Sequence, residues 1–228
     1  MRIRIVVASV ATALSGVLAI PAAATAAPTD PTTTIIGGST VASAPWAAAV
    51  LSNGNFTCSG TIISADYVLT ARHCVSGTMS VRVGSVNRSS GGVTRTVSSS
   101  STRYDLALLR LSSPVSTTYM ALSSSYPPVN STNSLYGWGM TCYSGCGSSP
   151  VLKTATVRVT STNQTDAYGG RAIASTRIDG NAWRGDSGGP QVYNGAQVGV
   201  ASTADGQSRQ YYGSVAYNRA WIESIAGV

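Results

Sequence analysis

Three short segments of the sequence carry the residue types that nucleophilic catalysis requires. They are residues 69–74 (LTARHC), 104–109 (YDLALL) and 185–190 (GDSGGP), whose reactive side chains are His73, Asp105 and Ser187. A serine hydroxyl is a poor nucleophile at neutral pH, so an adjacent neutral imidazole must accept its proton during attack. A buried carboxylate holds that imidazole in the required tautomer and stabilises the imidazolium that forms. The segments therefore predict a serine nucleophile activated by histidine and aspartate.

Each of these residues also has a purely structural interpretation. His73 is the only histidine of the chain, which excludes a zinc hydrolase built on two or three imidazoles. Asp105 could simply begin a strand, but the apolar run after it indicates entry into a core, where a carboxylate needs partners. No acidic residue lies between Cys74 and Asp105, so we expect no calcium there. We expect neither a metal nor a cofactor.

The composition predicts an all-β protein. Of the 228 residues, 10% are charged and 43% apolar, and glycine, serine and threonine are abundant. The net charge is +7, but the basic residues are scattered rather than clustered. Scattered charge indicates a solvated basic surface and no nucleic-acid partner.

The N-terminal segment has the pattern of a secretory signal. Residues 1–26 combine a positively charged start, an apolar stretch over 5–20 and a small-x-small site at 24–26 (ATA). A membrane anchor is the alternative, but the stretch is shorter than the roughly 20 residues that a spanning helix needs. Residues 27–34 are interpreted as a short propeptide. We therefore expect a secreted, extracellular and monomeric protein without stable membrane association, whose mature domain is 35–228.

The mature chain reads as short strands separated by turn residues. Apolar or alternating runs occur at 47–51, 57–63, 67–70, 106–111, 154–159 and 197–201. Residues 217–225 (YNRAWIESI) are the one plausible helix. A Ser/Pro-rich stretch, residues 112–131, divides the chain into two β-rich halves. This pattern predicts two small antiparallel barrels with an active site in the cleft between them.

Together with residues 35–38 (IIGG), the three motifs resemble the trypsin/chymotrypsin family in its chain order of His, Asp and Ser. The resemblance runs from Ile35 to the C-terminus. It implies two six-stranded-type antiparallel barrels with a C-terminal helix. It also implies a serine endopeptidase that cleaves protein or peptide substrates through an acyl-enzyme. A non-catalytic binding protein on the same fold and a secreted esterase remain as alternatives.

The resemblance also assigns supporting roles around the reactive residues. The backbone N–H groups of Gly185 and Ser187 match the oxyanion hole. The backbone N–H of Arg72 and the hydroxyl of Ser202 match the partners of the Asp105 carboxylate.

Activation by proteolysis is a further implication of the resemblance. A protease that cuts the Thr34–Ile35 bond would free an α-amino group on Ile35. That group would then turn inward and pair with the Asp186 carboxylate.

Four cysteines are present, and secretion favours their pairing. Cys58 and Cys74 match the family's disulfide beside the catalytic histidine. Cys142 and Cys146 are left over, and either a small local disulfide or two free thiols would account for them. Trp183 stands where the family has a cysteine near the Ser motif, so the specificity pocket lacks its usual disulfide.

The expected specificity pocket also departs from that of trypsins. Asn181 occupies the place of their aspartate, and Ala204 stands where a wall glycine is common. A neutral amide cannot form the buried ion pair that selects arginine or lysine. Asp179 and Asp205 are the rival carboxylates if the loop runs differently. We therefore predict an enzyme that does not select basic residues.

Overall fold

Fifteen strands separated by turn residues form in the computed structural model, which describes residues 35–228. In chain order the strands are β1 (Ile36–Gly37), β2 (Ser39–Thr40), β3 (Ala47–Ser52), β4 (Asn55–Ser64), β5 (Tyr67–Ala71), β6 (Met79–Val83), β7 (Val93–Arg103), β8 (Leu106–Leu111), β9 (Thr132–Gly137), β10 (Lys153–Thr165), β11 (Arg171–Arg177), β12 (Gly180–Asn181), β13 (Pro190–Tyr193), β14 (Ala196–Ala204) and β15 (Arg209–Ser214). The predicted signal peptide and propeptide lie outside the described residues.

The first barrel closes in the order β3-β4-β5-β8-β7-β6, with every pair antiparallel. Alternate residues of each strand point inward. Fully buried aliphatic side chains such as Val50, Ile62, Leu69 and Leu108 therefore fill the interior.

The second barrel follows the order β11-β15-β14-β13-β9-β10, and pairing of β10 with β11 closes it. The short β2 extends the sheet beside β10, and β1 pairs with β12 separately. Alternation along β10 buries Ala155, Val157 and Val159, as the sequence pattern predicted. The prediction of two six-stranded antiparallel barrels is confirmed.

The C-terminal helix, α1 (Val215–Ala226), begins two residues before the predicted 217–225 and ends one residue later. The Ser214 side chain accepts a hydrogen bond from the Tyr217 N–H at its start, and left-handed Gly227 follows its end. Val215 and Ile222 of the helix pack into the core of the first barrel. Among residues 35–228, no helix combines the length and apolar character that crossing a bilayer requires.

The predicted linker, residues 112–131, contains no strand. It is held along its length by backbone contacts with both barrels. The Met120 N–H donates to the Ile62 carbonyl of the first barrel, and Leu122 forms an isolated bridge with Gln197 of the second.

Candidate active site

Strand pairing brings His73 and Asp105 together. Ala71 at the end of β5 pairs with Leu106 at the start of β8, so the residues just beyond them share one edge of the first barrel. A short 3-10 turn, Arg72–Cys74, then directs the histidine side chain. A disulfide joins Cys58 to Cys74 and ties this turn to β4.

The Asp105 carboxylate is buried and receives three donors. The Nδ1 of His73 lies 2.9 Å from Oδ2 and 3.0 Å from Oδ1. The Ser202 hydroxyl donates to Oδ2 at 2.5 Å, as the resemblance implied. The backbone donor is the N–H of His73, 3.2 Å from Oδ1.

The expected bond from the Arg72 N–H to this carboxylate is not found. That N–H donates instead to the main-chain carbonyl of Asp105 at 3.0 Å. Because this main-chain bond occupies the Arg72 N–H, the next N–H of the 3-10 turn, on His73, is the one that reaches the carboxylate.

The Ser187 loop packs against the same edge of the first barrel. The Ser187 carbonyl accepts the N–H of Ser59, which neighbours the disulfide-bonded Cys58. Gly188 lies so close to the end of β5 that a Cβ there would be 2.8 Å from the Ala71 nitrogen. Within residues 35–228 no hydrogen bond joins the Ser187 and His73 side chains. Such catalytic bonds commonly tighten only when substrate is bound.

Two backbone N–H groups beside Ser187 have no acceptor within residues 35–228. They belong to Gly185 and Ser187, whereas those of Asp186, Gly188 and Gly189 all donate to carbonyls. Gly185 has φ +97°, a conformation that residues with a Cβ rarely adopt. The loop thus leaves the two N–H groups free to donate to a developing oxyanion.

Asp186 is a second buried carboxylate near the serine. It accepts the N–H of Gly139 at 2.8 Å and of Trp183 at 2.9 Å. Burial raises the pKa of Asp186 to about 7, although the two hydrogen bonds act in the opposite direction. A Cβ on Gly139 would come within 2.3 Å of the carboxylate, so only glycine fits there.

Ile35, the first described residue, is fully buried in the core of the second barrel. Its side chain belongs to a cluster that includes Ala182, Ala201 and Tyr212. These three residues also line the cavity beside Ser187, so Ile35 supports the cavity wall from behind.

A cavity of about 280 Å³ lies next to Ser187. Its lining residues are Ala182, Trp183, Arg184, Asp186, Ser187, Ala201, Ser202, Thr203, Ala204 and Tyr212. Ala204 lines it as expected, but Asn181 does not. Neighbouring residues of an extended chain point to opposite faces, and Ala182 takes the inward position. The Asn181 side chain is buried behind the wall, where its amide has no partner within the described residues.

Neither rival carboxylate lines the cavity. Asp179 accepts the backbone N–H and the hydroxyl of Thr156. Burial acts to raise the pKa of Asp205, but three backbone N–H groups of its own loop donate to the carboxylate, and the net effect is a lowered pKa.

Trp183 closes one side of the cavity. Its ring packs directly on Gly206, where a Cβ would lie 2.5 Å from the indole. Tyr143 contacts the same indole edge-to-face at a centroid distance of 6.2 Å. Tyr143 lies in the small loop that the Cys142–Cys146 disulfide closes, which excludes the alternative of two free thiols. An aromatic contact thus holds this wall in the absence of the family's disulfide.

The sequence of the described region matches known proteins along most of its length. The model of the family described as Trypsin matches residues 35–222. Trypsin alpha of Drosophila melanogaster is 36% identical over 224 residues, which cover 84% of this chain and 87% of that protein. Trypsin delta of the same fly is 34% identical over 223 residues, with coverage of 84% and 88%. The chain belongs to the trypsin family. As a trypsin-family protein it is a serine endopeptidase, a hydrolase of peptide bonds.

Solved structures share the fold of this trypsin-family chain. Mouse neuropsin, described as a serine protease, superposes with a TM-score of 0.72 at 23% identity, covering 80% of this chain and 94% of its own. The scabies mite inactivated protease paralogue S-D1 reaches a TM-score of 0.75 at 25% identity, with coverage of 84% and 97%. Human heparin binding protein reaches 0.73 at 23% identity, with coverage of 84% and 96%.

The described region groups potential metal ligands in one place, at Cys58, His73 and Cys74. The two sulfurs are bonded to each other and so cannot act as thiolate ligands.

Several residues that shape the site have no signal in the sequence. Ser59 donates to the Gly185 carbonyl at 2.9 Å and accepts the Trp138 N–H. Gln210, fully buried, accepts the Ala182 N–H and donates to the Ser175 carbonyl behind the cavity wall. Asp166 accepts the N–H of Asp105. In the sequence alone, an isolated polar residue in a strand or turn cannot be distinguished from a surface residue, because strand pairing determines its partners.

Proposed function

We propose that this trypsin-family endopeptidase cleaves peptide bonds with Ser187 as nucleophile, His73 as general base and Asp105 as the group that orients the imidazole. The observation that carries the proposal is the Asp105 carboxylate. It is buried, it accepts a hydrogen bond from His73 Nδ1, and it accepts further hydrogen bonds from the Ser202 hydroxyl and from a backbone N–H.

The reaction follows from this arrangement. With Nδ1–H donating to Asp105, His73 presents an unprotonated Nε2. Ser187 Oγ attacks the carbonyl carbon of the substrate, and its proton passes to Nε2. The imidazolium then gives that proton to the leaving amine as the C–N bond breaks, which leaves an ester on Ser187. Water attacks the ester with His73 again as base and regenerates the serine.

The free N–H groups of Gly185 and Ser187 support oxyanion stabilisation. Negative charge develops on the carbonyl oxygen at the tetrahedral stage, and preorganised donors stabilise it without moving. Removal of one such donor typically costs about 3–4 kcal/mol of transition-state stabilisation and lowers the rate accordingly.

Activation by cleavage of the Thr34–Ile35 bond is part of the proposal. Asp186 is fully buried with backbone donors, and its pKa of about 7 reflects the energy of keeping a carboxylate in that position. A new α-amino group on Ile35 would supply the missing positive charge. We assign residues 1–26 to a secretory signal and 27–34 to the propeptide, so that the active enzyme is extracellular and consists of residues 35–228.

The cavity beside Ser187 is the proposed site for the side chain that precedes the cleaved bond. Three alanines line it, and the one carboxylate in its lining, Asp186, is held by backbone N–H groups. Arg184 adds a positive charge. This lining suits small or medium neutral side chains rather than arginine or lysine.

A non-catalytic role is the second candidate, because one solved relative on this fold is described as an inactivated protease paralogue. The complete set of His73, Asp105 and Ser187 with their hydrogen-bonding partners favours catalysis here. An esterase would use the same groups, and only relative rates distinguish it.

The test is Ser187→Ala in the mature enzyme, with Ser125→Ala as a control at an exposed serine. We expect Ser187→Ala to lower kcat by about 10⁴-fold or more while the protein stays folded. Ser125→Ala should match the parent. Parallel assays on matched peptide and ester substrates decide between peptidase and esterase. A Ser187→Ala variant that keeps most of its activity would remove this residue from the mechanism.

A further inference from the structure

A five-residue turn, residues 166–170 (DAYGG), joins β10 to β11 and lies against Asp105. The carboxylate of Asp166 is nearly buried, with the residue 6% exposed. Its Oδ1 accepts two N–H groups of the turn itself, from Tyr168 at 2.9 Å and Gly170 at 2.8 Å. Its Oδ2 accepts the backbone N–H of Asp105 at 3.3 Å. One oxygen therefore shapes the turn, and the other reaches the reactive centre.

The peptide that Asp166 holds is a strained one. Tyr104, the residue before Asp105, has φ +51°, which is unfavourable for a bulky side chain. The bond from the Asp105 N–H to Asp166 fixes the peptide group that follows this strained residue. Gly170 makes room for the contact, because a Cβ there would lie 2.5 Å from both Asp166 Oδ2 and Tyr104 Cβ.

A second contact from the turn orients Ser202. The N–H of Ala167 donates to the Ser202 oxygen at 3.0 Å. Since that oxygen is occupied as an acceptor, the hydroxyl hydrogen is directed to Asp105 Oδ2, which lies 2.5 Å away. The turn thus acts on the carboxylate through the backbone of Asp105 and through Ser202.

A third contact involves the residue beside His73. The Arg72 guanidinium lies over the Tyr168 ring, 4.4 Å from its centroid. Both side chains are at the surface, where such a cation–π contact is modest in energy. It nevertheless restrains the 3-10 turn that carries His73, and it gives Arg72 a structural role.

We propose that residues 166–170 position the catalytic Asp105 and His73, with Asp166 as the principal positioning residue. The inference rests on the proposed triad. Residues of the second barrel thereby help to fix the Asp105 carboxylate and the His73 imidazole, which both belong to the first barrel.

Asp166→Asn is a selective test. An asparagine oxygen in place of Oδ1 keeps the two bonds within the turn, whereas an NH₂ group in place of Oδ2 opposes the Asp105 N–H. The matched control is Asp66→Asn, which removes the same charge at the exposed β4–β5 turn. Asp66 lies at the other end of β5 from His73, about 16 Å away along five extended residues.

We expect Asp166→Asn to lower kcat by about tenfold to a hundredfold, the effect of losing one buried hydrogen bond, with KM changed less than twofold. Proton NMR gives an independent readout. His73 is the only histidine, so the low-field signal of the Nδ1–H that bonds Asp105 has a single source. That signal should shift or broaden in Asp166→Asn and stay unchanged in Asp66→Asn. Parent-like kcat or an unchanged signal would overturn the proposal.

Tyr168 provides a second pair of variants if Asp166→Asn does not fold. Tyr168→Phe keeps the ring under Arg72, and no hydrogen bond of the Tyr168 hydroxyl exists within the described residues to be lost. Tyr168→Ala removes the ring. We expect Tyr168→Ala to lower kcat at constant KM, whereas Tyr168→Phe should keep the kcat of the parent enzyme. Equal kcat values for the two variants would contradict a positioning role for residues 166–170. Labelling of Ser187 by an organophosphonate in the parent enzyme tests the triad separately.

Discussion

Two buried aspartates near Ser187 have opposite surroundings. Asp105 receives a hydroxyl, a backbone N–H and the imidazole of His73. Among residues 35–228, Asp186 receives only backbone N–H groups, and burial raises its pKa to about 7. A carboxylate with an ionisable partner suits catalysis, whereas one that lacks a positive charge suits a switch that a cation completes.

At this residue scale, activity should depend on one imidazole. We expect kcat/KM to fall on acidification, because a protonated His73 cannot accept the proton of Ser187. The measurement is kcat/KM against pH on a neutral peptide. A rate that does not change as the pH is lowered would contradict this prediction.

The preference at the cleavage site is also set by single residues. We expect no selectivity for arginine or lysine, because the cavity offers no free carboxylate to offset the desolvation of a cation. The test compares kcat/KM on matched peptides with Arg, Leu, Ala or Gln before the cut. A preference for Arg of about a hundredfold, roughly 3 kcal/mol in the transition state, would refute it. Asp179→Asn and Asp205→Asn would then identify the responsible carboxylate.

At the scale of elements, the loop after β12 and the loop after β14 form one wall of the cavity together. Trp183 of the first loop packs on Gly206 of the second, and the wall contains no disulfide. A packed contact restrains the loops only in the folded protein, whereas a covalent bond would also restrict the unfolded chain. The cavity should therefore be sensitive to small changes at this contact.

Gly206→Ala tests this wall. Gly206 has φ +70°, so alanine adds backbone strain of about 1–2 kcal/mol, and its Cβ also displaces the indole. Gly195→Ala is the matched control, with φ +78° and no atom within 4 Å of the added Cβ. Both variants should lower Tm, but only Gly206→Ala should lower kcat/KM, by about tenfold or more. Equal kcat/KM in the two variants would mean that Trp183 does not shape the cavity.

At the scale of the whole molecule, cleavage after Thr34 should change how stability depends on pH. Native Asp186 keeps its proton up to about pH 7, whereas an unfolded chain releases it near 3.8. Between these values the native state binds more protons, so the stability of the uncleaved chain falls as pH rises. A positive α-amino group on Ile35 would oppose this loss.

The prediction is measured on the uncleaved chain carrying Ser187→Ala, which prevents self-cleavage. Its Tm relative to the same chain with Asp186→Asn should decrease as pH rises from about 4 to 7. Asp66→Asn serves as the control, for which the difference should stay nearly constant over this range. A constant difference for Asp186→Asn as well would show that Asp186 does not titrate in this window.

Strand prediction succeeded where a strand buries several apolar side chains. The strands at 47–51, 106–111 and 154–159 all have apolar residues directed into a barrel, which produces a visible pattern. β7 was missed, because none of its eleven residues is buried and its sequence is mostly serine, threonine and arginine. Such a strand exists because the neighbouring strands pair with it.

The sequence by itself determined the reactive residue types, the family and the two-barrel architecture. These depend on short motifs and on alternation, and both are local properties of the chain. Only the tertiary structure decided that His73 rather than Arg72 donates its N–H to the Asp105 carboxylate, and that Ala182 rather than Asn181 faces the cavity. It also brought Asp166 to Asp105 across 61 residues. Contacts of this kind depend on strand register and on turns that join distant segments, so no local pattern of residues encodes them.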